Sequence, residues 1–459
     1  MKFFRKNWAF ITIIFMLLAY TLLMSYFCIQ RNRAFGSGYD LANIADTVWQ
    51  TSQGNFFKLT GDTGLISRFS VHSDLILILL APFYLLFPTP NLLLIVQAFA
   101  VGFSIIPIFL ISRKILKNDV LGIIISFVFL ISPNVLWANI YDFHPVLLAF
   151  PLLFFAFYFL LIKKWFPFWL FIVLSLFTKE NVGLFIAMMG FLAFFKYREK
   201  KVGLVLFTLG MGFSILAIKF IMPAFNSGQQ HWALAWYDFS SGIIPRIWHE
   251  MTNLVALKYY LALLAPYAFL PLLALPWLLP ALPDLFINLT SQHIEMQSLI
   301  FHYQSLIVIA MTIALIMAFS HIKTHRRLLI LSVFFLLFIS LRQNYLYSPF
   351  SNSPGQWHLS YLFGGNEINF EKALEKIPQN AIVASSSEVR PHVINHRLSY
   401  NLPSGVSQAD YIALVSQNRF VGDDEAKPYE TQLISNLKNN SHYQILYENA
   451  PFYLFKKIN

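Results

Sequence analysis

Twelve apolar runs of 14 to 23 residues govern what this chain can fold into: 7–28, 72–87, 90–112, 119–137, 145–162, 165–178, 181–195, 202–222, 258–271, 272–289, 302–320 and 328–346. A helix that crosses a bilayer needs about 20 mostly apolar residues, and shorter runs suit re-entrant or packed helices. Water cannot hold so many such runs in one fold. The chain is 12% charged, against about 25% in ordinary soluble domains. The pattern predicts an integral membrane protein built from helices. The first run, behind Lys2, Arg5 and Lys6, exceeds the roughly 7–15 residues of a signal-peptide core and ends in no small-residue cleavage site. It is expected to remain as the first spanning helix.

The formal charge of +11 does not point to nucleic acid, because its distribution follows the membrane part: the first 346 residues hold 24 Lys/Arg against 12 Asp/Glu, and the remainder 9 against 10. Lys and Arg collect in cytoplasmic loops. Clusters at 2–6, 113–119, 163–164, 196–201 and 323–327 contain 15 basic residues against Asp119 and Glu199 alone. That asymmetry predicts a cytoplasmic N-terminus. It also demands an even number of crossings before Arg113, so one of the first three runs does not cross. The segment 72–87, short and interrupted by Pro82, is expected to be re-entrant or half-buried. The polar stretches 29–71 and 223–257, the turn at 141–145 and the pair Lys179-Glu180 then share the outer side.

From about Ser348 the composition becomes that of a soluble domain. Ala381–Ser387 and Tyr411–Ser416 read as strands, 428–438 as a helix, 443–457 as a hairpin, and Asn369 as the cap of a short helix running to Ile377. The expected fold is an α-helical polytopic membrane protein with about 11 crossings plus one re-entrant or half-buried helix, followed by a small C-terminal α/β extracytoplasmic domain. The division falls between residues 1–346 and 347–459. The lone Cys28 excludes a disulfide framework or a cysteine metal cage.

Ionisable groups at membrane depth are costly, and mark a path, a site or a structural pair. In Tyr39-Asp40-Leu-Ala-Asn43-Ile-Ala-Asp46, a helix over 41–50 places Asn43, Asp46 and Gln50 on one face. Asp40 is then either an N-cap or a carboxylate serving as a general base or metal ligand. In Asp142-Phe-His144-Pro145, one polar residue can cap the helix opened by Pro145, and the other is left to approach a cation or phosphate. Lys179 and Glu180 point about 100° apart on a helix, so each needs its own partner: a phosphate for Lys179 and Arg68 or a substrate group for Glu180, or else an interhelical salt bridge. His72, Asp74 and Arg68 form a further rim group. The stretch 229–238, with Trp248, His249 and Glu250 beyond it, mixes aromatic and polar residues as an interfacial belt or a sugar platform does. His302 and Tyr303 open the penultimate helix on the same side.

Tyr39-Asp-Leu with Trp49-Gln50 and Gly54, His72 leading into Pro82-Phe-Tyr and Pro88, Leu92–Gln97, Asp142-Phe-His-Pro, Lys179-Glu180, Leu282-Pro-Asp284 and His302-Tyr303 together resemble the membrane family known as domain of unknown function 2079. More distantly, the arrangement resembles the C-type (GT-C) polyprenyl-phosphate-sugar glycosyltransferases. The resemblance implies a multi-pass enzyme of the cytoplasmic membrane that transfers a sugar from a polyprenyl-phosphate carrier to an acceptor on the outer face. It implies catalytic roles for Asp40, Asp142 and His144, and substrate binding by Arg68, His72, Lys179, Glu180, His302 and Tyr303. The sequence departs from that pattern, with Tyr-Asp-Leu in place of Phe-Asp-Leu and no Asp-x-Asp or Glu-x-Asp pair, so the resemblance does not carry over metal dependence; if a divalent cation is present, Asp40, Asp142 and His144 are its candidate ligands. The rival readings are a transporter or flippase, and a non-catalytic envelope scaffold. The partners expected are the lipid bilayer and a polyprenyl-phosphate-linked sugar.

Overall fold

The computed structural model describes residues 2–238, 240, 242–351, 365–419 and 427–458, with the side chains of residues 2–6 and Ile243 outside the description. The apolar runs become helices. Among the described residues six helices are long and apolar enough to cross a membrane: Asn7–Arg33, Pro90–Leu116, Lys200–Phe225, Leu270–Thr290, Ser305–Ile322 and Arg326–Tyr347. A seventh results if Asp119–Ile131 and Pro133–Ile140, bent by 49° at Ser132-Pro133, form one span. Five shorter apolar helices of 10–17 residues make up the rest of the membrane part. The expected figure of about 11 crossings therefore depends on these shorter helices, which length alone does not qualify.

The segment singled out by parity is a 3-10 turn, Leu75–Leu80, continued by the helix Ala81–Leu86. Twelve residues at a rise of about 1.5–2 Å each reach roughly 20 Å, short of the ~30 Å hydrocarbon core. A second interruption lies at 270–281, where Pro271, Pro276 and Pro280 remove backbone donors and Ala274 leaves helical geometry. This irregular stretch packs along Ser305–Ile322, the helix with nearly every residue buried, at the centre of the bundle. Helices Val182–Phe195 and Lys200–Leu216 form a hairpin whose backbones almost touch. Glycines spaced by seven on each helix, Gly183/Gly190 and Gly203/Gly210, face one another, and a Cβ on Gly190 would lie 2.6 Å from the Gly203 carbonyl oxygen. Small residues permit this approach where no hydrophobic effect drives helices together.

Between the first helix, Lys2–Arg33, and the segment Leu75–Leu86 stand the helix Tyr39–Ser52 and an antiparallel hairpin of β1 (Lys58–Gly61) and β2 (Gly64–Ser67). The C-terminal region is a small sheet domain of β3 (Ile382–Ser385), β4 (Leu398–Asn401), β5 (Tyr411–Val415), β6 (Tyr443–Asn449) and β7 (Phe452–Lys457), ordered 4-3-5-7-6. Strands β3, β4 and β5 pair in parallel and the hairpin β6–β7 joins antiparallel to β5. The helix Pro428–Lys438 falls where the sequence places it. The preceding helix is Gly365–Leu374, so Asn369 lies inside it rather than at its cap.

This domain is not a separate body on a tether. Phe35, held at φ +57° just after the first helix, is fully buried among Phe370, His392 and Phe452. Arg390, also buried, extends its guanidinium into the membrane part, where it meets Asn43, Asp46 and the Thr60 carbonyl. The sheet domain and the loop carrying Asp40 therefore occupy the same side of the molecule.

Candidate functional site

The polar residues singled out along the sequence meet above the bundle, and the backbone explains how. Helix Tyr39–Ser52 begins after Gly38, which uses no side chain of its own as a cap. Its free N–H groups are satisfied instead from across the fold. Asp142 accepts from Gly38 N at 3.0 Å and from Leu41 N at 3.3 Å, and from Arg31 of the first helix at 3.0 Å. A carboxylate suits the positive end of a helix. Asp142, at φ +44°, is in turn fixed by Gln97, whose amide donates to its carbonyl at 2.7 Å while accepting from His144 N at 2.7 Å.

With the cap supplied by Asp142, the N-cap alternative for Asp40 does not occur. Its carboxylate points into the cluster, accepts from the Tyr141 hydroxyl at 3.2 Å and lies 3.9 Å from His144 Nε2. That nitrogen is buried without a hydrogen-bond partner. His144 stacks on His302 with ring centroids 3.6 Å apart, and the Tyr141 ring lies parallel beside both, at 5.3 Å from His144 and 6.4 Å from His302. Lys179 Nζ sits 3.2 Å from His302 Nε2. Tyr303 packs beside His302, its carbonyl accepting from Asn288. One cluster thus contains a carboxylate, two stacked imidazoles, two phenols and an ammonium.

The electrostatics of the cluster follow from its enclosure. Burial lifts the Asp40 carboxyl above the ordinary carboxylate range, and the Asp142 charge adds to the lift against the pull of Tyr141, His72 and Lys179. Burial holds the His144 ring below the usual imidazole range, with Lys179 reinforcing it; for His302 burial acts first and His144 second. Both imidazoles are therefore neutral at physiological pH.

Beside this cluster His72 Nδ1 lies 3.0 Å from Glu180, whose other oxygen accepts from Ser73 N at 3.3 Å. Burial alone pushes the Glu180 carboxyl up, but His72 and Lys179 outweigh it and hold it below its ordinary range. His231 completes a group of three, its ligating atoms within 4.8 Å of those of His72 and Glu180. Its atoms are already engaged within the protein, since His231 Nδ1 accepts from Ala233 N at 3.2 Å and its Nε2 meets the Val71 carbonyl at 3.0 Å, and in the set expected from sequence both Asp142 oxygens likewise accept hydrogen bonds. No spacing pattern marks His231, which stands 51 positions beyond Glu180. Arg68 takes neither Glu180 nor the open cluster. It forms a buried bidentate pair with Asp74 at 3.1 and 2.6 Å.

Below the polar layer an apolar cavity of about 860 Å³ runs between helices, walled by Tyr260, Leu263, Leu279, Leu285 and Met311 and reaching Lys196 at its far end. Leu272, Leu275 and Pro276 of the proline-broken stretch 270–281 form part of its wall. At the upper end Leu285 follows Asp284, which accepts from Asn181 at 3.1 Å, the residue next to Glu180.

The fold and the buried polar cluster define a polytopic helical membrane protein with the architecture of ArnT. The crystal structure of ArnT from Cupriavidus metallidurans, bound to undecaprenyl phosphate, superposes with a TM-score of 0.53 at 9% identity, covering 96% of this chain and 97% of that one. At that identity the likeness defines the fold. The family described as "Predicted membrane protein (DUF2079)" matches residues 33–452, and the chain belongs to it. No curated protein matches the sequence.

Proposed function

We propose that this protein is a membrane glycosyltransferase that takes a sugar from a polyprenyl-phosphate carrier and passes it to an acceptor hydroxyl on the outer face of the cytoplasmic membrane. The N-terminus is then cytoplasmic and the sheet domain extracytoplasmic, as the basic loops imply. The observation that carries the reading is Asp40 facing the unpartnered Nε2 of His144 across 3.9 Å, with Lys179 Nζ 3.2 Å from Nε2 of the stacked His302.

A hydroxyl oxygen about 2.8 Å from both groups would satisfy them at once. In a single displacement the acceptor oxygen attacks the anomeric carbon and its proton passes to Asp40 as general base. The bond from that carbon to the phosphate oxygen breaks, and the polyprenyl phosphate departs with the electron pair. Charge grows on the departing phosphate, where a fixed cation is most effective, and Lys179 supplies it. Neutral His144 orients the hydroxyl, while Asp142 positions the helix that carries Asp40. The apolar cavity offers the carrier's hydrocarbon chain a dry path beside the polar layer.

The test is transfer by purified protein in bilayers, using polyprenyl-phosphate sugars as donors, with Asp40→Asn as the control. Transfer by the native chain that the variant lacks supports the reading. Equal transfer by a well-folded variant removes Asp40 from the chemistry.

A further inference from the structure

We propose that the helix Ile243–Thr252 lies in the membrane plane, with Ile244 and Trp248 inserted at the boundary between headgroups and acyl chains of the leaflet facing the candidate site. A ten-residue helix in water turns its polar face outward. Here Ile244 and Trp248 are 81% and 72% exposed, with the His249 side chain beside Trp248 at 71%, whereas the side chains of Arg246 and Glu250 are 27% and 14% exposed. The spacing of four puts Ile244 and Trp248 on one face and Arg246 and Glu250 on another.

The inward polar pair is held in place. Arg246 and Glu250 meet at 2.9 Å, Glu250 also accepts from Asn253 at 3.0 Å, and the Met251 carbonyl accepts from Tyr260 at 3.2 Å. Arg246, Glu250 and Asn253 thus bond among themselves on the more buried side, and the Tyr260 bond ties the helix to its neighbour, which leaves Ile244 and Trp248 for another medium. The adjoining helix identifies that medium. Asn253 caps the apolar helix Leu254–Leu264 directly, with no linker, and Leu254, Leu257 and Leu261 on that helix are exposed apolar residues. Trp248 thus continues a surface that lipid tails cover. Tryptophan favours that depth, with its ring in the apolar edge and its N–H among headgroups. Two side chains present far less than the roughly 800 Å² per partner of a stable protein interface.

The helix also fixes one lip of the apolar cavity, because Tyr260 lines that cavity and is bonded to Met251. The inference stands on sidedness and continuity, so it survives if the proposed reaction does not. A spin label on Trp248→Cys in the full chain, reconstituted in nanodiscs of phosphatidylethanolamine and phosphatidylglycerol, reads the surroundings directly. The native Cys28 is buried, so unmodified protein should take up little label. Oxygen should relax the label more strongly than a water-soluble nickel chelate. Stronger relaxation by the chelate, or protection from both reagents as in a contact with a second copy, overturns the proposal. As a second measurement, lipids brominated near the headgroup should quench native fluorescence more than that of Trp248→Phe, and equal quenching overturns it.

Discussion

Arg390 of the C-terminal sheet domain and Asp46 of the helix beside the first span form a buried ion pair at 3.2 Å, 344 positions apart in sequence. The same guanidinium donates to the Ser399 carbonyl at 2.8 Å and the Thr60 carbonyl at 3.0 Å, while Asp46 accepts from Thr60 N at 2.7 Å. One side chain therefore ties β4, the β1–β2 hairpin and the helix bearing Asp40 into a single unit. Removing one member of such a pair strands the other charge, at a cost of about 3–5 kcal/mol. Arg390→Met should lower the unfolding midpoint sharply, and Asp46→Asn added to it should restore part of the loss. Additive losses in that double-mutant cycle would show that the pair is not coupled.

Asp40→Asn should leave the protein folded, because the helix cap comes from Asp142 and Asp40 makes no cap bond. If Asp40 is the general base, transfer should vanish with little change in melting temperature. In the native protein the activity needs the ionised carboxylate, whose pKa is raised. Rate should therefore climb with pH through a midpoint above about 4, the ordinary value for Asp, and fall away on the acid side. A limb at or below that value would contradict the enclosed, Asp142-shadowed environment.

Asp142→Asn should behave differently from Asp40→Asn. The charge of Asp142 is matched by Arg31 and by the N-terminus of helix Tyr39–Ser52, so its loss should reduce stability by about 3–5 kcal/mol and activity along with it. Thermal melting and transfer measured on the same samples separate the two carboxylates. A stable but inactive Asp142→Asn would instead place Asp142 at the reacting atoms.

Lys179→Ala tests the donor-phosphate assignment. Among the described residues no carboxylate pairs with Lys179 within 4 Å, and its nearest polar contact is His302. The melting temperature should shift only slightly, while affinity for a polyprenyl-phosphate analogue should fall at least tenfold. Unchanged analogue binding with a large drop in stability would make Lys179 a structural group.

Gly190→Leu should disrupt the hairpin of helices Val182–Phe195 and Lys200–Leu216, since even a Cβ would approach the Gly203 carbonyl oxygen to 2.6 Å. Overpacking of this kind costs roughly 1–3 kcal/mol or more. A melt showing no loss would mean that the two backbones do not meet at that point.

Local composition alone specifies much of this protein. Apolar runs too long for water require membrane helices, Pro82 interrupts a run too short to span, and the apolar run at 411–415 and the aromatic-rich stretch at 443–457 read as strands before any fold is known. Asp40, His144, Lys179 and His302 were legible as candidates because an ionisable group among apolar neighbours is costly unless it is used. What each does was decided by partners far away in sequence. Asp142 could be read as a cap of its own helix, yet it caps Tyr39–Ser52, because only the packed bundle brings Gly38 N and Leu41 N to its oxygens. Arg68 was open to Glu180 until folding set Asp74 against it and His72 against Glu180. β4, only four residues long, and the reach of Arg390 into Asn43 and Asp46 left no periodic trace. Periodicity reports which face of an element is buried, and that is a local property. The choice of partner for a buried charge depends on which elements pack together, and that is set by the whole fold.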